Sequence, residues 1–551
     1  MSAPRTLATA AFGGLLLALS LPPWPGSTGA WPLGIVGAAV VFAAVDGRGL
    51  RARVGGGMAA GLGLYLPGLW WMRDFSLPGF VVTVLLEAAI LATALALVPP
   101  ARRAGPAARF VAFPAALVLA EAVRGAWPFG GLPLAGIELG QVAGPLAPVA
   151  RLGGRLLIVA LVGLAGAALA SAAAVAIGRR SGRSDVARRG AGDAGGRGRF
   201  AVWRTRSVVE PATGTETTTP PPPPSRGTPA GLVPAVAALA IVIATAVGGA
   251  VAPAGRADGE LRVAAVQGGG PRGFRAVDRD PGPVFEAHLR AGATVGDGVD
   301  VVLWPEDVVD VPGILAGSPE EEALSALAAE LGTTLVAGVV EDVDDDRFRN
   351  AVVVFGPDGR VVDRYDKVHR VPFGEYIPAR SFFARLGDVS AVPRDAIAGR
   401  GPGVVDTPAG RLGVLISFEV FFQDRSRAAV RAGGRILLVP TNASSFGTAQ
   451  VPAHELAVAR LRALETGRWV VQAAPTGYSA VVDHHGRVLA RSGLGSASVL
   501  RHDVQLRAGS TVFVALGPAP VLLLAGATLA IAHIRRRKPE RGNVKFAATV
   551  D

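Results

Sequence analysis

The chain contains no cysteine, which excludes disulfides, thiolate metal sites and a cysteine nucleophile, and leaves its redox compartment unreadable from sulfur. Lysine is nearly absent as well: apart from Lys538 and Lys545 near the C-terminus, Lys367 stands alone. Charged residues make up only 18% of 551 positions while half of the chain is apolar, which moves the expectation from a soluble protein to a membrane class. The formal net charge of +12 is carried almost wholly by arginine, scattered through short loops between apolar runs and gathered in one linker. That distribution fits membrane topology better than a nucleic-acid surface, so no nucleic-acid partner is expected.

A helix rising 1.5 Å per residue needs roughly 20 apolar residues to cross a hydrocarbon core. Candidate spans are 7–21, 31–45, 54–72, 79–98, 110–123, 156–177, 232–251 and 511–534. The first lacks a small-x-small cleavage site and is followed by further spans, so it reads as a retained span rather than a signal peptide. Cytoplasmic loops hold the positive residues. With the N-terminus inside, the inner loops carry Arg48, Arg51 and Arg53, then Arg102, Arg103 and Arg109, then the long Arg-rich linker, and finally Arg535, Arg536, Arg537 and Lys538. An odd number of spans precedes residue 255, so the region 255–509 is expected on the outer face of a cell membrane.

The implied organisation is a membrane bundle over 1–177, built of the first six candidates, a cytoplasmic disordered linker over 178–229 and a further span within 230–254. The outer domain follows at 255–509, then a last span within 510–534 and a basic tail over 535–551. The linker contains the run Pro220 to Pro224 among Arg, Gly, Ser and Thr, so it cannot bury a core and reads as a tether. Glu87 and Glu121 fall inside apolar runs, where a carboxylate is costly. They are expected near helix ends, protonated or paired within the bundle, with a functional role as the alternative.

From Glu260 the pattern changes to short β-rich runs alternating with amphipathic helical stretches, an α/β domain. Strands are expected at 261–267, 300–304, 335–341, 350–355, 361–365, 411–416, 436–440, 469–473, 479–483 and 500–504. Helices are expected at 283–293, at 318–331 with Ser318 as cap, at 424–432 and at 450–466. Three polar residues stand where the chain leaves a hydrophobic strand: Glu306 after Val-Val-Leu-Trp-Pro, Lys367 after Arg-Tyr-Asp, and Ser417 after Gly-Val-Leu-Ile. Strand ends in α/β sheets present side chains into crevices. Taken singly, such residues are usually surface or turn positions. Together a Glu, a Lys and a hydroxyl suit acyl transfer: proton removal, oxyanion stabilisation and covalent storage of the acyl group. A lone Lys in an arginine-rich chain suggests that a compact ammonium is required.

At these positions the sequence resembles the apolipoprotein N-acyltransferases, a membrane-embedded branch of the nitrilase (carbon-nitrogen hydrolase) superfamily. The matching segments are Leu-Trp-Pro-Glu306, then Arg-Tyr-Asp-Lys367 followed by Val-Pro-Phe-Gly-Glu375-Tyr-Ile-Pro, then Gly-Val-Leu-Ile-Ser417-Phe-Glu419, and Val-Pro-Thr-Asn442-Ala. Leu-Arg-Ala-Leu-Glu-Thr-Gly-Arg and Trp127-Pro-Phe-Gly-Gly also match. The resemblance implies a multi-pass bundle plus an α-β-β-α sandwich, a catalytic triad at Glu306, Lys367 and Ser417, a further site carboxylate at Glu375 and a supporting one at Glu419. It implies neither metal nor organic cofactor. The implied donor is a membrane phospholipid, and the acceptor is the α-amine of the diacylglyceryl-modified N-terminal cysteine of an apolipoprotein.

One departure is large. Ser417 stands where the family carries its nucleophilic Cys, and Phe418 where relatives often carry Tyr. A hydroxyl depends on its base where a thiol is partly ionised, and an oxygen ester is the poorer acyl donor to an amine, so both half-reactions should slow. The competing reading is a catalytically silent relative acting as a membrane scaffold or lipid-binding partner, with a polyprenol-phosphate mannosyltransferase as its companion. A soluble-type amidase gives no reason for so many spans. His454-Glu455 lacks the second His of a zinc-protease helix, and His484-His485 lies in an Asp-His-His-Gly turn; both read as structural. Gly268 to Gly270 are expected in a loop lining the site.

Overall fold

The computed structural model describes residues 3–24, 29–194, 232–273, 280–385 and 388–534, with side chains omitted for 178–194. The linker beyond Ala194 and the basic tail 535–551 lie outside the described residues.

Apolar helices come first: α1 (Ala3–Leu19), α2 (Trp31–Val45), α3 (Leu50–Gly68), α4 (Leu77–Ala96), α5 (Pro106–Arg124), α6 (Ala150–Ala194), kinked at Gly153 and Gly154, and α7 (Leu232–Val251). Ser76 starts α4 by accepting the Gly79 amide at 3.1 Å, and prolines occupy the first turns of α4 and α5, where no amide proton is needed. By length and composition α4, α5, Ala147–Ile177 and Val233–Val251 can cross a membrane, whereas Ala3–Leu19, Trp31–Val45 and Ala519–His533 are apolar but shorter. Small residues bring these helices close: a Cβ on Gly14 of α1 would lie 1.9 Å from the Ala60 carbonyl of α3.

Two expected spans need correction. The run at 54–72 is α3, which ends at Pro67-Gly68 and passes into a 3-10 turn at Trp70–Asp74. The run at 511–534 is broken by Gly517 and Pro518 into a short helix (Val512–Leu516) and a separate one (Ala519–His533). Proline has no amide to continue the ladder, so the apolar run folds as two pieces.

Glu87 and Glu121 are paired inside the bundle. Arg124, fully buried, donates to Glu87, to both oxygens of Glu121 at 2.8 Å and to the Leu134 carbonyl. Arg155 continues the cluster to Glu121 at 3.4 Å and Glu138 at 3.1 Å. Charges this deep persist because each has an opposite partner.

The remainder runs in order β1 (Arg256–Gln267), α8 (Gly282–Gly292), β2 (Val301–Leu303), β3 (Val309–Val311), α9 (Pro319–Leu331), β4 (Thr334–Asp344), β5 (Arg347–Phe355), β6 (Val361–Asp366), α10 (Arg380–Phe383) and β7 (Asp395–Ala396). It continues with β8 (Val404–Thr407), β9 (Gly410–Val414), a 3-10 turn (Ser417–Phe421), α11 (Gln423–Arg431), β10 (Leu437–Pro440), α12 (Gln450–Thr466), β11 (Val470–Ala473), β12 (Ala480–Val482), β13 (Val488–Arg491) and β14 (Ser498–Ala508). The chain then enters α13 (Val512–Leu516) and α14 (Ala519–His533).

Among the described residues these strands build two sheets. One has the order β14-β1-β2-β4-β5-β6, with β3 on β4 and β7 on β5; the other has the order β13-β12-β11-β10-β9-β8. Side chains alternate across each strand. Val263 and Ala265 face the second sheet, where Val414, Ile416, Leu438 and Val471 meet them, while Ala264 and Val266 face Leu324 and Leu327 of α9. The outer side of the second sheet, including Leu437, Val439 and Val470, packs with α12 against the helical bundle in one continuous apolar core. The result is an α-β-β-α sandwich whose α12 layer rests on the membrane-type helices.

Candidate active site

Glu306 leaves β2 through Trp304 and Pro305 and is buried. Its segment lies hard against β4: a Cβ on Gly338 would sit 2.2 Å from the Pro305 carbonyl, so only glycine lets the loop approach this closely. Lys367, buried at the end of β6, places Nζ 2.7 Å from Glu306 Oε1 and 2.8 Å from Glu375 Oε1. Asn350 of β5 donates its side-chain amide to the same two oxygens at 2.9 Å each. Glu375 Oε2 accepts the Val371 amide at 2.7 Å, which closes the loop that carries it. Burial alone would lower the Lys367 pKa, but the two carboxylates outweigh it and raise it above the ordinary lysine value. The ammonium has three protons, and two are committed to these carboxylates.

Ser417 opens the 3-10 turn after β9 with φ +48°, a left-handed conformation that a non-glycine residue adopts only under constraint. The constraint is Glu419. Its Oε2 accepts the Ile416 amide at 3.0 Å, while Oε1 accepts the Val368 amide at 2.9 Å, the His369 amide at 3.1 Å and the Tyr365 hydroxyl at 2.8 Å. The residue before Ser417 and the residue after Lys367 are thus clamped on one carboxylate. Ser417 Oγ lies 3.4 Å from Thr441 Oγ1, and Thr441 lies 2.8 Å from Glu455 Oε1.

Glu306, Lys367 and Glu375 are therefore in direct contact, Glu419 braces the backbone beneath Ser417, and Asn442 turns away to Asp307 at 3.2 Å and to the Ser444 hydroxyl at 2.6 Å. Glu455, read above as structural, is a buried carboxyl beside the hydroxyls and within electrostatic reach of Glu306 and Lys367. Nothing in its local pattern marks it, because its neighbours come from other elements distant in sequence. His454 is buried beside it, its pKa pushed down to about 4 by burial with partial relief from the Pro22 carbonyl. The His484-His485 turn meets Arg151 of α6, whose guanidinium reaches the His484 carbonyl at 3.2 Å and His485 Nδ1 at 2.9 Å. Gly269 and Gly270 donate to the Pro475 and Gly495 carbonyls at 2.9 Å, and the Gly268 amide donates to His288 at 3.0 Å. Among the described residues no group of three or more His, Asp or Glu side chains is placed to hold a metal.

An α-β-β-α sandwich that sets a carboxylate, an ammonium and a second carboxylate at the ends of its strands defines the carbon-nitrogen hydrolase class, and residues 262–511 match the carbon-nitrogen hydrolase family. Residues 13–168 match the apolipoprotein N-acyltransferase N-terminal domain. Relatives include the apolipoprotein N-acyltransferase of Mycolicibacterium smegmatis, 32% identical over 343 residues that make up 58% of this chain and 58% of the relative. That of Sinorhizobium medicae is 36% identical over 236 residues, 40% of this chain and 44% of the relative. The chain thus carries a carbon-nitrogen hydrolase domain and an apolipoprotein N-acyltransferase N-terminal domain, is similar to the apolipoprotein N-acyltransferases, and is a membrane protein. It spans about half the length of the relatives it matches. A Saccharomyces cerevisiae member of branch 10 of the nitrilase superfamily aligns at 20% identity with TM-score 0.34, covering 52% of this chain and 98% of that one.

Proposed function

We propose that the chain transfers a fatty acyl group from a membrane phospholipid to the N-terminal α-amine of a diacylglyceryl-modified apolipoprotein, through an ester on Ser417. The observation that carries this reading is the buried Lys367 ammonium, 2.7 Å from Glu306 and 2.8 Å from Glu375. Among the described residues the side-chain hydrogen bonds to Glu306 fall on Oε1, and we assign Oε2 to the nucleophile's proton. Ser417 Oγ attacks the carbonyl carbon of the glycerol ester as Glu306 takes its proton. The third Lys367 N–H meets the oxyanion, a kind of contact worth about 10²–10³ in rate. The intermediate collapses, Glu306 returns the proton to the glycerol oxygen, and the lysophospholipid leaves. The acceptor amine then attacks the seryl ester, an amide forms, and Ser417 recovers its proton.

A lipid substrate is supported by aromatic side chains at the helix ends and on the loop that carries Glu375. Trp70, Trp127, Phe129, Phe373 and Phe382 are exposed, and Phe129 meets Phe373 edge-on with ring centroids 5.6 Å apart. Such rings favour the membrane interface. The arginine distribution supports a sandwich on the outer face, with the helices of 1–177 and 230–254 anchoring it and 178–229 inside.

A second reading, a membrane scaffold that has lost its chemistry and works beside a mannosyltransferase or another partner, is favoured by the hydroxyl at position 417. The experiment that separates the two is intact-mass analysis of purified protein incubated with phospholipid vesicles. An acyl adduct on the wild type that disappears in Ser417→Ala supports acyl transfer. An adduct confined to Ser417→Cys supports the scaffold, and none in either sinks the enzyme reading.

A further inference from the structure

Thr441 Oγ1 lies between Ser417 Oγ at 3.4 Å and Glu455 Oε1 at 2.8 Å. A hydroxyl has one proton, so Thr441 donates to one of these neighbours at a time. The state of Glu455 decides which. An ionised carboxylate only accepts: it takes the Thr441 proton and leaves a Thr441 lone pair to draw in the proton of Ser417. A neutral carboxylic acid donates to Thr441, and Thr441 then donates to Ser417 Oγ. Only in the second arrangement is the Ser417 proton free for another acceptor.

The surroundings favour the neutral acid. Glu455 is 4% exposed, and among the described residues it forms no ion pair and no side-chain hydrogen bond other than that to Thr441. The charged groups that act on it are Glu306, which opposes its ionisation, and Lys367, which favours it but is already engaged by two carboxylates. On the 3-10 turn, Glu419 is occupied by amides and the Tyr365 hydroxyl. On its own helix His454 is held neutral, while Arg462 and Glu465 pair with each other at 3.2 Å about two turns further on. From the bundle, the Arg155 guanidinium is directed at Glu121 and Glu138, and that of Arg151 at His485. Burial therefore dominates and pushes the Glu455 pKa up to about 8, with the Thr441 hydrogen bond opposing it.

We propose that Glu455 is a positioning residue for the acyl-transfer step: as a neutral acid it holds Thr441 as a donor to Ser417 Oγ, and so turns the Ser417 proton toward Glu306. The role rests on Ser417 as the acyl carrier. It matters for a hydroxyl because attack and proton removal must coincide, whereas an ionised thiol has no proton to direct.

The test uses the full chain in lipid nanodiscs with two readouts. The first is the infrared carbonyl stretch of a buried carboxylic acid, assigned by difference against Glu455→Gln. The second is the rate at which a fluorophosphonate labels Ser417 between about pH 6 and pH 10; the Ser417 oxygen bonds phosphorus, fluoride leaves, and the proton goes to Glu306. The acid band is expected at neutral pH and lost as Glu455 ionises, with wild-type labelling falling about tenfold over the same range, a part of what a directed general base is worth. Glu455→Gln keeps an N–H donor for Thr441 at every pH, so it loses that fall, and it labels about tenfold faster at neutral pH than Glu455→Leu, which has no donor. Absence of the band at neutral pH, or labelling by Glu455→Leu at the wild-type rate, overturns this role alone. A wild type that shows the band yet is labelled at no pH overturns the acyl-transfer reading and this role with it.

Discussion

Glu465 of α12 accepts the backbone amide of Arg155 in α6 at 2.8 Å. Through that bond the sandwich is joined to the ionic cluster of the helical bundle, because the Arg155 guanidinium reaches Glu121 and Glu138, and Glu121 shares Arg124 with Glu87. The Gln450 amide at the other end of α12 donates to the Pro67 and Gly68 carbonyls of α3 at 2.8 Å and 3.0 Å. One helix of the sandwich is thus pinned to the bundle at both ends, and that helix carries Glu455.

Arg124→Met should be severely destabilising. It leaves Glu87 and Glu121 without their shared cation at a site with no solvent access, and breaking a buried pair from one side costs about 3–5 kcal/mol. Adding Glu87→Gln to Arg124→Met should recover part of the loss, since it removes one of the stranded charges. Unfolding midpoints of the single and double variants in the same detergent check this; equal midpoints for wild type and Arg124→Met would contradict it.

Glu419→Gln should impair the site without emptying it. Both carboxylate oxygens accept hydrogen bonds, so an amide NH2 must face at least one donor, at a cost of about 1–3 kcal/mol. The Ser417 turn and the Lys367 loop then lose their common clamp. A displacement of about 1 Å costs on the order of 10² in rate. Fluorophosphonate labelling should fall by that factor while the variant remains folded by circular dichroism.

The raised pKa of Glu455 makes stability depend on pH. Its folded value of about 8 lies above the ordinary 4.5, so between those values the folded chain holds a proton that the unfolded chain has released. Stability conferred at low pH is then lost as pH rises through this window, by about 1.4 kcal/mol per unit at most. The wild type should lose stability relative to Glu455→Gln from about pH 5 to pH 8, read as diverging unfolding midpoints. A difference that stays constant over this range would mean that Glu455 is already ionised in the fold.

Much of this architecture can be read along the chain. The helix expected at 450–466 is α12 residue for residue, and Ser318 caps α9 by accepting the Glu321 amide at 3.1 Å. Both follow from local chemistry, as do Glu306 and Lys367 at strand ends. The two-residue β7 and the four-residue α10 are too short for any period to register. The Gly517-Pro518 break was outweighed by the continuous apolarity of 511–534, and the span expected at 110–123 stopped one residue short of Arg124, the partner that explains Glu87 and Glu121. Glu455 was opaque for another reason: its meaning depends on Thr441 and Ser417, which reach it only through the packing of α12 on the second sheet.

The absence of native cysteine makes the membrane orientation directly measurable. Gly49, before α3, is exposed, and a Cβ there would meet no other atom within 4 Å; Asp358, in the turn between β5 and β6, is also exposed. If the arginine-rich loops face the cytoplasm, a membrane-impermeant maleimide added to intact cells should label Asp358→Cys and leave Gly49→Cys unlabelled until the cells are opened. Labelling of Gly49→Cys in intact cells, with Asp358→Cys protected, would place the sandwich inside. The site would then face the cytoplasmic leaflet, and a lipoprotein acceptor presented on the outer surface would have no route to the seryl ester.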